Sequence, residues 1–136
     1  MIMSIEHQYL NTEAGLKKKS FEIYYNGGSI WCEHLDGMGS QKEQVIEKFL
    51  GDKKNFCRPS MTSFVIINLD ETEIDGDIIS CITDTIIGSQ KRFMKIAFVG
   101  VRKIGDRNYF SVISQKKGCP IEFFDDYEKA KQWVLP

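Results

Sequence analysis

The apolar run Phe64-Val65-Ile66-Ile67 narrows the fold more than any other feature of the chain. It is continuous rather than alternating, so both faces of such a strand must be buried, as in the middle of a helix-flanked sheet. After Asp75-Gly76-Asp77, the residues Ile78, Ile79, Ile82, Thr85 and Ile86 recur at helical spacing. Their β-branching favours a strand locally, but the spacing and the length to Gln90 favour a helix packed on the sheet. Met94 to Val99 is the next strand, ended by Gly100. Strand, helix and strand in this order form a right-handed crossover with parallel pairing.

The flanking segments extend this pattern. Phe21 to Tyr25 and Ser29 to Leu35 read as a β-hairpin joined through Asn26-Gly27-Gly28. Ser40 and Glu43 match a capping box, Val45, Ile46, Phe49 and Leu50 share one helix face, and Gly51 is a natural stop. Ile121 to Phe124 is a last strand, and Asp125 or Asp126 caps a closing helix with Tyr127, Ala130, Trp133 and Val134 on one side. Ile5 to Leu10 suits a short strand, Lys17-Lys18-Lys19 a solvated turn, and the polar stretch 101–118 a short helix around Tyr109 to Ile113. The expected fold class is α/β, as one domain over residues 1–136: a mixed, largely parallel sheet with an N-terminal hairpin.

Bulk properties exclude several function classes. With 136 residues, 42% apolar and 27% charged, the chain is sized and composed for one folded core. Eighteen basic residues against nineteen acidic ones leave a formal charge of -1, which gives no global pull toward nucleic acid. The longest apolar runs are a few residues, so no membrane span is expected. Cys32, Cys57, Cys81 and Cys119 are too widely spaced for a zinc ribbon, and a start without a secretory segment points to the cytoplasm and reduced thiols.

Three clusters invite chemistry, and each has a plainer reading. The carboxylates of Asp70 to Asp77 could attract a divalent cation, but an EF-hand counted from Glu71 places Ile82 where a bidentate Glu is needed. Carboxylates ahead of a helix also cap its free N–H groups. Cys32 and His34 share a strand face, which brings a thiol near an imidazole without orienting a base onto a nucleophile. Gly100 to Arg107 mixes glycine with positive charge after a strand, yet fits neither nucleotide-binding glycine spacing. With Lys91 and Arg92 it would form a small basic rim. No metal, cofactor or catalytic residue is assigned.

From Ser63 to Pro136 the chain resembles the second half of the STAS domain, in its SpoIIAA-like branch. The resemblance lies in Phe64-Val65-Ile66-Ile67-Asn68-Leu69-Asp70 leading to Ile74-Asp75-Gly76-Asp77-Ile78, then Lys95 to Gly100, Ile121 to Asp125, and the closing Glu128 to Val134. It implies helices mainly on one face of the sheet and a bacterial regulatory role without catalysis, exerted by binding a partner protein. Members are switched by phosphorylation of a serine at the start of the second helix. Here Gly76 or Asp77 stands at that place, so the usual switch cannot operate there; Thr72 and Ser80 are the nearby hydroxyls.

The functional expectation is therefore a non-enzymatic regulatory or scaffolding module. An unknown protein partner would be recognised by Thr72, Asp75, Gly76, Asp77 and Ser80. The alternative is a small apolar or lipid-like ligand held between helices and sheet. An enzyme using Cys32 or the Asp70 to Asp77 carboxylates is a third reading. A homodimer would use the hairpin edge or aromatics such as Tyr24 and Trp31.

Overall fold

The computed structural model describes residues 9–12, 15–25, 28–57 and 63–135. Its main sheet has five strands in sequential order: β3 (Phe21–Tyr25), β4 (Gly28–His34), β5 (Phe64–Asn68), β6 (Lys95–Val99) and β7 (Ile121–Phe124). β3 and β4 are antiparallel, and every later pair is parallel. β1 (Tyr9–Thr12) and β2 (Gly15–Lys18) form a separate antiparallel pair. Part of the strand expected over Ile5 to Leu10, and the turn residues Asn26 and Gly27, lie outside the described residues.

From β4 onward the chain steps across the sheet in one direction. Right-handed crossovers then place every connecting helix on the same face. These are α1 (Lys42–Asp52), α2 (Gly76–Gly88), and α3 (Ile104–Phe110) followed by α4 (Val112–Lys117). α5 (Tyr127–Val134) follows the last strand and returns over the opposite face, against β5, β6 and β7. Strand pleating divides the apolar runs between the two faces. Val65, Ile67, Ile96 and Phe98 face α1 to α4, while Ile66, Ala97 and Val99 meet Ala130 and Val134 of α5. The continuous run at Phe64 is thus explained, because β5 has a helix layer on each side.

Several local expectations give way to tertiary structure. Ser40 does not cap α1: Gln41 occupies the N-cap without a side-chain bond, because Gly39 is engaged in a parallel bridge to Thr72. Gly51 does not stop the helix, which continues through Asp52 into a 3-10 turn at Lys53–Asn55. Lys17 and Lys18 belong to β2 rather than to a turn, and the Lys18 ammonium pairs with Asp36 at 2.8 Å. Residues 101–118 hold two helices instead of one. They meet at Ser111, whose hydroxyl bonds back to the Arg107 carbonyl at 2.8 Å, an arrangement that bends helices. No helix among the described residues is long and apolar enough to cross a membrane.

The space between sheet and helices is occupied by side chains. Phe98 stacks on Phe110 and Phe123, and Phe56 lies against Trp31 and Phe49. Trp31 is buried and Tyr24 is exposed, so of the two aromatics expected at a dimer surface only Tyr24 reaches solvent.

Candidate functional site

At the rim where the parallel strands finish, the loops continue the sheet's hydrogen bonding. Leu35 N–H donates to Asn68 O at 2.9 Å, Gly37 N–H to Asp70 O at 2.8 Å, and Glu73 N–H to Gly39 O at 2.7 Å. Thr72 Oγ1 accepts from Met38 N–H at 3.1 Å and donates to the Leu35 carbonyl. The third loop closes against the second at Gly100. This residue has φ +86°, and a Cβ there would lie 2.5 Å from Asp70 Cα. Only glycine accepts both the left-handed backbone and the close approach.

The same rim collects the N-termini of the helices, because helices in such crossovers run antiparallel to the strands. Carboxylates gather there and complement the helix dipoles. Asp75 caps α2, accepting from Ile78 N–H at 3.0 Å. That bond, opposed by burial and aided by Lys42, lowers the pKa of Asp75. Lys42 of α1 bonds Asp77 at 2.8 Å and lies 3.5 Å from Asp75, and its own pKa is raised by Asp77 first. Arg102 pairs with Asp70 at 2.9 Å, and both Arg102 and Arg107 lie 3.9 Å from Asp125. The acidic stretch is thereby drawn apart into separate ion pairs and caps. Among the described residues no group of three or more His, Cys, Asp or Glu side chains is placed to hold a metal ion.

The residues expected at a recognition surface separate into two kinds. Gly76, Asp77 and Ser80 are exposed on the first turns of α2, and Asp75 is half-buried. Thr72 is buried, and its hydroxyl is committed to two backbone partners within the fold. The expected basic rim does not assemble either. Lys91 and Arg92 precede β6, at the opposite end of the sheet from Gly100 to Arg107. Beside α2, its neighbour α3 exposes two large apolar side chains, Ile104 at 78% and Tyr109 at 67%. An apolar residue inside the polar run Arg102-Lys103-Ile104-Gly105-Asp106 was the available sequence signal for this surface.

Cys32 and His34 both lie on the sheet face beneath α5. The imidazole stacks on Phe21 and tilts against Tyr127, and Nδ1 lies 2.8 Å from Asp36 Oδ1, so it orients toward a carboxylate rather than the thiol. Burial works to raise the Asp36 pKa, but His34 and Lys18 outweigh it and hold the group low. Cys57, Cys81 and Cys119 are pushed upward by burial, which disfavours the reactive thiolate.

On the other face, Glu33 is fully buried and accepts from Trp31 Nε1 at 2.9 Å. Among the described residues its Oε2 has no donor, and the carboxyl group neighbours Asp52, which lies 2.9 Å from the Lys48 ammonium. Lys48 also donates to Ser20 Oγ at 2.7 Å. Burial, then the Asp52 charge, raises the Glu33 pKa well above 4.5. Burial also acts to raise the Asp52 pKa, but the hydrogen bond from Glu33 and the Lys48 charge hold it low. A proton resting on Glu33 and donated to Asp52 satisfies the orphaned oxygen.

Compared with known proteins, the chain matches no protein-family model, no curated protein and no solved structure.

Proposed function

We propose that this chain is a non-enzymatic, protein-binding module of the SpoIIAA-like kind, and that it docks its partner where α2 and α3 begin. The observation that carries this reading is the pairing of Ile104 and Tyr109, both largely in water, with the exposed turn at Gly76, Asp77 and Ser80. Isolated exposed apolar residues need no explanation; here two stand on one seven-residue helix, about 140° apart around its axis, beside a braced loop system. The loops beneath it are cross-linked by backbone bonds, so little ordering entropy would be lost on docking.

The partner's chemistry follows from the surface. Two separate apolar contacts would take Ile104 and Tyr109, and cationic groups around them would meet the exposed Glu71, Glu73 and Asp77. With glycine and aspartate at the phosphoacceptor place, contact is set by a permanent carboxylate. Asp77 is already offset by Lys42, which makes it a poor copy of a phosphoserine.

Pull-down from the native host with mass spectrometry tests the reading. The wild-type chain and an Arg92→Glu control should retain the same proteins, and an Ile104→Asp, Tyr109→Ala double variant should lose them. Retention by the double variant of everything the wild type retains would refute the assigned surface.

A further inference from the structure

The opposite rim of the sheet is built differently. Three connections that return the chain from helix to strand converge there, at residues 53–57, 88–94 and 116–120. They are bound to one another: Ser89 Oγ donates to Cys57 O at 3.1 Å, and Lys117 Nζ donates to the Ser89 carbonyl at 2.5 Å. Between the second and third connections opens a cleft of about 640 Å³, within the range of small-molecule sites. A neighbouring cleft of about 400 Å³ meets it at Gln90 and is lined by Lys53 and Lys54.

The lining of the larger cleft includes Lys91, Arg92, Lys117, Phe93, Met94 and Pro120, with no acidic side chain among its described residues. Two of its cations have evident duties in the fold. Lys117 closes the last turn of α4 and reaches the chain just beyond α2, where positive charge complements helix C-termini. Lys91 is buried, and burial lowers its pKa. Arg92 lies outside every helix, is exposed, and has no ion pair or side-chain hydrogen bond among the described residues. Next to it Met94 is half in water, although it immediately precedes a strand whose other apolar side chains are buried. An unpaired guanidinium and an exposed thioether chain thus stand together at the mouth of one basic cleft.

We infer that this cleft binds a small amphiphilic anion, with a phosphate or carboxylate head group on Arg92 and a short hydrocarbon stem along Met94 and Phe93. The planar guanidinium fork matches either oxyanion in a two-point hydrogen bond, which an ammonium cannot do. Lys91 and Lys117 supply the surrounding positive field. Met94 can adapt its rotamers to the stem. The site is independent of the protein-docking reading, since it lies at the other end of the strands.

Titration of the full chain with octyl phosphate, followed by amide NMR shifts, tests this inference. Inorganic phosphate and 1-octanol serve as the two half-ligands. Saturable shifts should fall on residues 90–94 and 117–119 with octyl phosphate, and each half-ligand alone should bind at least about tenfold more weakly. Arg92→Glu should weaken octyl phosphate by about tenfold or more, while Arg92→Lys should recover only part of the loss. Glu43→Gln at the far rim should change nothing. Shifts elsewhere, equal binding of inorganic phosphate, or undiminished binding by Arg92→Glu would each overturn the proposal. A folded amide spectrum for Arg92→Glu excludes misfolding as the cause of any loss.

Discussion

The two rims of the sheet use their charges in opposite ways. At the rim where parallel strands finish, Asp70, Asp75, Asp77 and Asp125 meet helix N-termini and have Lys42, Arg102 or Arg107 as counterions. At the rim where they start, Lys53, Lys54, Lys91, Arg92, Lys116 and Lys117 gather near helix C-termini, and among the described residues Asp84 is the acidic side chain lining the clefts there. A formal charge of -1 therefore conceals a polar molecule. Helix dipoles favour this segregation, and what they leave over is informative. On the acidic rim the remainder is the apolar pair Ile104 and Tyr109; on the basic rim it is Arg92 with Met94.

Glycine substitutions should break the contrast most severely. Gly100 and Gly118 both have left-handed backbones, with φ +86° and +70°, but a Cβ meets Asp70 backbone atoms at Gly100 and open space at Gly118. Gly100→Ala should cost more than about 3 kcal/mol in denaturant unfolding, because strain adds to a backbone collision. Gly118→Ala should cost about 1–2 kcal/mol, for the left-handed conformation alone. Equal losses would mean that the braced rim is not braced at Gly100.

Thr72→Val comes next. It keeps the shape but leaves the Met38 N–H and the Leu35 carbonyl without their partner, for an expected loss of about 1–3 kcal/mol. Hydrogen exchange should quicken at residues 36–39 and 70–73 and stay unchanged at 88–94. A neutral outcome would return Thr72 to the list of surface recognition residues.

The buried acid Glu33 gives a pH test of the region between the rims. With its folded pKa raised above 4.5, its proton stabilises the fold fully below that value. The contribution is lost as pH rises through the folded pKa. Asp36, Asp52 and Asp75, held below the ordinary 3.8, act oppositely and lose their contribution as pH falls. Glu33→Gln can still donate to Asp52 and accept from Trp31 without titrating. It should be more stable than wild type at pH 8 by about 1–2 kcal/mol, and the advantage should vanish below about pH 4.5. Parallel pH profiles for the two proteins would show that Glu33 holds no extra proton.

The sequence disclosed the parts of this molecule that depend on neighbours along the chain. The buried strands at Phe64 and Lys95 follow from unbroken apolar runs. The caps at Asp75 and Asp126 follow from carboxylates placed just ahead of apolar periodicity, and both side chains do accept N–H bonds. What failed depended on distant partners. Thr72 reads as a surface hydroxyl until Met38 and Leu35 arrive from 34 and 37 residues away. Ser40 reads as a cap until the Gly39 bridge takes its place, and Lys91 with Arg92 read as neighbours of Gly100 although a strand length separates them. The polar surface of residues 101–118 hid two helices whose buried sides contribute little more than Phe110 and Ile113.

The smallest stability effect belongs to Arg92→Glu, which should stay within about 0.5 kcal/mol of wild type because the side chain has no described partner to lose. That neutrality makes Arg92 the right control for the central claim, that the acidic rim is the protein-docking end. A photo-reactive amino acid placed at position 104, and separately at position 92, can be activated in extract of the native host. A discrete protein adduct is expected from position 104 and none matching it from position 92. Excess unlabelled wild-type chain should compete the adduct away, and the Ile104→Asp, Tyr109→Ala variant should not. Absence of a saturable adduct at 104, or equal competition by that variant, would contradict the account.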